Sequence, residues 1–178
     1  MKKLVVSLSA SLCLFSTNIA EASLVNKPGD IIVTNSTSSS GIVGHTGIYI
    51  DATHILHTSG WKSEPWPKVI SETDWHKRYE KSKVIRPSSS SLGVKAAQKA
   101  KAYFQNKKIP YWISSNPTNI SKTYCSELVW YAYYKAGKSF KTRTSGGFAT
   151  PNDLVTPYNF IDKANVAYNK FSFIDSNW

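Results

Sequence analysis

Cys125 stands in Tyr124-Cys125-Ser126-Glu127-Leu128-Val129, where a polar stretch gives way to a helical pattern. A thiol at a helix start faces unpaired backbone N–H groups and the positive end of the helix dipole, which favour thiolate and lower its pKa. The expected chemistry is nucleophilic: the sulfur attacks a carbonyl and carries the acyl group. Burial in a core is the competing reading, because cysteine is among the most buried residue types.

Such a nucleophile needs a base, and the base needs a group that orients it. His45, in Gly44-His45-Thr46-Gly47, opens a strand-like run whose period of two places His45, Gly47 and Tyr49 on one face. With 51–53 as a three-residue turn, Ile50 pairs with His54 and His57 falls opposite Gly47. His45 and His57 are then diagonal cross-strand neighbours, His45 as base and His57 as the residue holding its tautomer. The backbone N–H of Cys125 is a natural oxyanion donor, and the hydroxyl of Tyr49 or Tyr124 is the candidate for a second. Gly44 and Gly47 either admit a close neighbour or are ordinary strand-edge glycines. His54 falls on the opposite face, and His76 sits in a charged connection with no specific role. Zinc held by His45, His57 and Cys125 is a competing reading because the ligand types suit it. No short ligand pair supports that reading, so neither a metal nor another cofactor is expected.

The elements that must position these residues are short. Strand patterns cover 31–33, 43–50 and 54–58, the last two forming a hairpin. The Trp- and Pro-rich stretch 61–79 reads as a long connection with a helical turn over 73–79, and 83–86 as another short strand ending before Pro87. The serines at 88–91 suit an N-cap, after which Leu92, Ala96, Ala100, Tyr103 and Phe104 share a helical face. Over 124–137, Cys125, Leu128, Val129, Ala132 and Ala136 form a second stripe, with Gly137 as C-cap. The remainder, broken by Gly146, Gly147, Pro151 and Pro157, reads as loops and short strands. Short strands with two separated helices predict an α+β fold.

The first residues describe a leader. Lys2 and Lys3 precede an apolar run over 4–15, and Ala20-Glu21-Ala22 supplies a small-residue cleavage site, so 1–22 reads as a signal peptide and 23–178 as one domain. The run is shorter than the roughly 20 residues that span a bilayer. Cleavage removes Cys13 and leaves Cys125 as the single cysteine, which excludes an internal disulfide. An exported location follows: extracellular, periplasmic or wall-associated. The net charge is +11, and +10 once Lys2, Lys3 and Glu21 are gone. Such a surface suits an anionic wall polymer or peptide, or an anionic lipid, while no nucleic-acid motif is present.

Four pieces carry a family likeness: Pro28-Gly29-Asp30-Ile31-Ile32, Gly44-His45-Thr46-Gly47-Ile48-Tyr49-Ile50, His57, and Tyr124-Cys125-Ser126-Glu127-Leu128-Val129. In these the chain resembles the circularly permuted, YiiX-like branch of the NlpC-type papain-like peptidase and amidohydrolase superfamily, which is related to lecithin retinol acyltransferase. The resemblance implies a permuted papain-like fold, a small antiparallel sheet packed against helices. It implies Cys125 as nucleophile, His45 as base and His57 as the polar third residue, with Thr150-Pro151-Asn152-Asp153-Leu154 a structural segment. The expected activity is that of a secreted cysteine peptidase or amidase cleaving an amide bond in wall peptide. Lipid or ester hydrolysis or acyl transfer on the same fold, and a non-catalytic wall-binding module, stand as alternatives.

Overall fold

The computed structural model describes residues 25–37, 44–144, 147–148 and 154–176. The signal-peptide segment with Cys13, the onset of the second strand at Val43, Gly146, and 150–153 of the late block lie outside the described residues. Six strands form one antiparallel sheet: β1 (Ile31–Thr34), β2 (His45–Tyr49), β3 (His54–His57), β4 (Lys68–Ser71), β5 (Ser82–Pro87) and β8 (Phe171–Ser176). Their order across the sheet is β4-β3-β2-β1-β5-β8. The helices are α1 (Glu72–Arg78), α2 (Ser90–Phe104), α3 (Cys125–Lys135) and α4 (Lys163–Tyr168), with a 3-10 turn at Pro157–Phe160. A two-residue pair, β6 (Arg143–Thr144) with β7 (Gly147–Phe148), stands apart from the sheet.

Local chemistry accounts for the boundaries. The hydroxyls of Ser71 and Ser89 accept the N–H groups of Asp74 and Leu92 at the starts of α1 and α2, and the Asp162 carboxylate accepts Asn165 N–H at the start of α4. Each satisfies a donor that the first helical turn leaves unpaired. Central β1 is buried along its whole length, as a strand covered on both faces must be.

Alternate residues sort onto two faces. Ile31, Val33, Ile48, Leu56 and Ile85 meet Ala96, Ala100 and Phe104 of α2 and Leu128, Val129 and Ala132 of α3 in the larger core. Alanines on α2 let it lie close to α3. Ile32, Tyr49, Ile55, Ile70 and Val84 point the other way, against Trp75 of α1 and Tyr79. Fully burying each such large side chain contributes roughly 1.5–3 kcal/mol.

The α+β class, with a small antiparallel sheet packed against helices, is the observed arrangement. Two element expectations are corrected. The 61–79 connection contains β4, which pairs with β3 through Ile55↔Ile70 and Leu56↔Val69. The tail supplies β8, a six-residue strand beside β5 through Ile85↔Phe173 and Pro87↔Phe171. Both pairings join segments whose own patterns are weak and which become strands through their partners.

Candidate functional site

Cys125 is the first residue of α3 and is buried. Tyr111 stands beside it on the wall of two clefts. Burial pushes the thiol pKa up, more than the Thr46 N–H and the neighbouring backbone groups at the helix start pull it down. The expected lowering is therefore corrected. The helix-start effect is present, but loss of solvent around an anion outweighs it.

His45 opens β2, and its Nε2 lies 2.9 Å from Nδ1 of His57. The contact follows from the register Gly47↔His57, with Ile50 N–H donating to His54 C=O one step further along. Gly47 is required here: a Cβ would come within 2.5 Å of Ile55 Cγ2 and 3.3 Å of His57 Cβ. Trp75 stacks on the His45 ring at 5.3 Å and 18°, and Tyr79 lies 5.2 Å away. Burial in this aromatic box, then the nearby His57 and Arg78, hold His45 well below the usual imidazole range. Burial likewise brings His57 down to about 4. Both rings are neutral at pH 7, and the Nε2 of His57 is buried without a hydrogen-bond partner among the described residues.

Beyond His57 lies a charged group. Arg78 grips the Glu64 carboxylate in a two-pronged pair at 2.9 Å, and Lys68 Nζ adds a third bond at 3.0 Å. Burial alone would raise this carboxyl, but those cations bring it down to about 2. The resulting fixed charges border the imidazoles without joining them.

The two tyrosine candidates part company. The Tyr49 hydroxyl donates to Glu72 at 2.8 Å and accepts from Asn26, so it is committed away from the thiol. Tyr124 precedes Cys125, and its hydroxyl accepts the N–H of Val155 at 3.2 Å. Tyr111, which the sequence did not single out, stands beside Cys125 where Tyr49 or Tyr124 was expected. Its only chain signal is an aromatic residue after Pro110, yet Gly60 (φ +71°) lies against its ring, where a Cβ would approach to 2.9 Å. Exposed His54 bonds Asp51 at the hairpin turn.

Two clefts share Cys125, Tyr111 and Gly44. One, of about 320 Å³, is bordered by His45, Arg78, Ser59 and Tyr79. The other, of about 270 Å³, is bordered by Ile113, Tyr124, Leu154, Val155 and Pro157. His45 Nε2 is engaged by His57, and the expected Cys125–His45 dyad has no hydrogen bond between its members among the described residues. No group of three or more His, Cys, Asp and Glu side chains among them is placed to hold a metal.

Comparison with known proteins redirects the reading. The family described as lipoprotein N-acylation protein LnsA-like matches residues 4–171. An uncharacterized 30.3 kDa protein of Bacillus thuringiensis is 32% identical over 154 residues, which are 80% of this chain and 54% of that protein. The chain thus spans about half the length of that relative. Among solved structures, metalloprotein yiiX from Escherichia coli O157:H7 is similar with a TM-score of 0.61 and 21% identity, covering 86% of this chain and 99% of the other. That likeness speaks to the fold alone.

Membership of the NlpC-type papain-like peptidases is therefore corrected in favour of the LnsA-like family, and the permuted papain-like fold in favour of the fold of the yiiX metalloprotein. The cysteine peptidase or amidase cleaving wall peptide falls with them. The physical reason is that a cysteine at a helix start and a histidine on a strand are local features that unrelated chemistries share. A lipoprotein-acylation family is consistent with an exported or membrane-associated protein.

Proposed function

Because the chain belongs to the LnsA-like lipoprotein N-acylation family, we propose that it is an acyltransferase that moves a fatty acyl group from a lipid ester to an amine through Cys125. The observation that carries this reading is the position of Cys125, a buried thiol on the wall common to a polar and an apolar cleft. An acyl transfer from lipid needs that arrangement, since the reacting carbon is joined to a hydrocarbon on one side and a polar group on the other.

In the first step the sulfur bonds to the ester carbonyl carbon, the C–O bond to the lipid alcohol breaks, and that oxygen takes the proton from the thiol. In the second, the acceptor's amine nitrogen bonds to the thioester carbonyl, the C–S bond breaks, and the amine's proton returns to sulfur. His45 carries the proton between these groups. Its Nε2 is engaged by His57, so Nδ1 is the nitrogen left for the work. A buried, high-pKa thiol makes such a base necessary. The Cys125 N–H and the Tyr111 hydroxyl stabilise the oxyanion.

Residues 1–22 act in this reading as a leader and 23–178 as one exported domain working at the outer face of a membrane. The net charge, +11 over the whole sequence and +10 without Lys2, Lys3 and Glu21, favours an anionic lipid surface as partner. The test is incubation of the protein with phosphatidylglycerol and a diacylglyceryl-cysteinyl lipopeptide bearing a free α-amine. Mass spectrometry should show one added acyl chain on the lipopeptide and a lyso-lipid, both dependent on Cys125. A lyso-lipid with free fatty acid and no acylated amine would overturn the transferase assignment.

A further inference from the structure

We infer that the cleft on the Tyr124 side of Cys125 is the acyl-chain slot, filled by the hydrocarbon of a lipid drawn from the membrane. The inference rests on the acyl-transfer reading and assigns its donor. Ile113, Leu154, Val155 and Pro157 supply carbon to the walls, with the rings of Tyr111, Tyr124 and Tyr158.

The main-chain polar groups of Val155 in this wall are already paired. Val155 N–H donates to the Tyr124 hydroxyl at 3.2 Å, and Val155 C=O accepts from the Ser126 hydroxyl at 2.8 Å. A hydrocarbon lying there desolvates no unpaired donor or acceptor of Val155, which is the condition for an apolar guest. The neighbouring cleft, with Arg78, His45 and Ser59, is built for a headgroup or an amine instead. A dry cavity of about 150 Å³ takes a benzene ring, so about 270 Å³ takes on the order of ten carbons by that measure.

The mouth identifies the source. Ile113 and Leu154 line the cleft and are also 49% and 44% exposed. Trp112, beside Ile113, is 61% exposed with the Lys122 ammonium 4.9 Å above its ring. Exposed Trp and aliphatic residues with a flanking lysine suit the headgroup boundary of an anionic bilayer. A chain can therefore pass from bilayer to slot with its carbonyl stopping at the sulfur.

The experiment compares octanoyl and acetyl 4-nitrophenyl esters as donors to Cys125, followed by intact-mass measurement, in the wild type and in an Ile113→Glu/Leu154→Glu double variant. The octanoyl rate should exceed the acetyl rate by about tenfold or more, since each buried methylene adds to the preference, and the ratio should fall to about one in the double variant. A wild-type ratio near one, or a ratio untouched by the double variant, would overturn the slot while leaving acyl transfer standing. Failure of both esters to acylate Cys125 would sink the transfer reading. The slot is then judged by calorimetric titration of octanoate into Cys125→Ala, where saturable binding lost in the Cys125→Ala/Ile113→Glu/Leu154→Glu triple variant supports it and no binding overturns it. Co-sedimentation with phosphatidylglycerol/phosphatidylcholine vesicles, weakened severalfold by the double variant, is expected for a membrane source. Octanoyl selectivity without vesicle binding would overturn that source.

Discussion

The sheet face under α2 and α3 is covered by aliphatic and aromatic side chains drawn from many parts of the chain, from Ile31 to Phe171. The face under α1 is covered by a small cluster around Trp75 and Tyr79, and it also takes the rings of His45 and His57. The first face is large enough to anchor a helix whose first residue is Cys125. The second is too small to be the main source of stability, but its flat rings enclose two imidazoles and exclude water from them. The thiol and the imidazole thus come from opposite faces and border one cleft where β2 begins, beside Gly44. Separate foundations let each be set without disturbing the other: packing of α3 places the sulfur, and the Trp75 box holds the ring neutral.

The sharpest break of that comparison removes the sulfur. Cys125→Ala should lower acyl transfer by about a thousandfold or more, with circular dichroism and unfolding midpoint close to the wild type, because alanine keeps the helix start. A variant that retains transfer would show that the helix-covered face contributes only packing. Removing the ring from the other face should cost less. His45→Ala is expected to reduce transfer by roughly a hundredfold at neutral pH. Raising the pH should recover part of the loss, since the thiol pKa is pushed up by burial and hydroxide then supplies thiolate without a base. Loss unchanged between pH 7 and pH 10 would separate His45 from the proton and leave it a packing residue.

Stability measurements sharpen the contrast further. Leu128→Ala, in the large core, should cost about 2–5 kcal/mol with surroundings that partly collapse, and Trp75→Ala about 3–5 kcal/mol. Trp75→Ala should also raise the His45 pKa toward its ordinary value, because burial is the largest cause of its depression. Histidine NMR titrations of both variants distinguish the faces: a shift in the Leu128 variant equal to that in the Trp75 variant would contradict the separation.

Much of this geometry was legible in the chain, and the failures are instructive. A turn over 51–53 and a period of two sufficed to put His57 opposite Gly47 and in contact with His45, because hairpin register is a local property. The serine cap of α2 and the start of α3 were local in the same sense. Pairing of β5 with β8 joins residues nearly ninety positions apart, and no local pattern reports such a contact. Tyr111 comes beside Cys125 through an isolated bridge to Thr123, a pairing that no periodic pattern in the chain marks. The thiol pKa was misread for a related reason: a helix start is visible in sequence, whereas the water excluded by Thr46, Tyr111 and the core is not. The family was misread because the four motifs describe positions of residues and not the clefts around them.

The smallest expected effect tests whether the large core is as dry as its composition indicates. Glu127, in the first turn of α3, is fully buried. Burial raises its carboxyl to about 8, with the Tyr124 backbone and the Thr123 side chain offsetting only part of the shift. Folded Glu127 is thus mostly neutral at pH 7, while in the unfolded chain, with an ordinary pKa of about 4.5, it is ionised. A group whose folded pKa is raised binds more protons in the native state, so the stability it contributes is fully present below pH 4.5 and is lost as pH rises through 8. Glu127→Gln keeps a neutral group of similar shape and cannot ionise. Urea unfolding at pH 5, 7 and 9 should therefore find the variant close to wild type at pH 5 and more stable at pH 9, by on the order of 1–3 kcal/mol for the buried polar group it relieves. Parallel loss of stability in both proteins across that range would mean that water reaches Glu127, and that the helix-covered face is less sealed than the aromatic face opposite it.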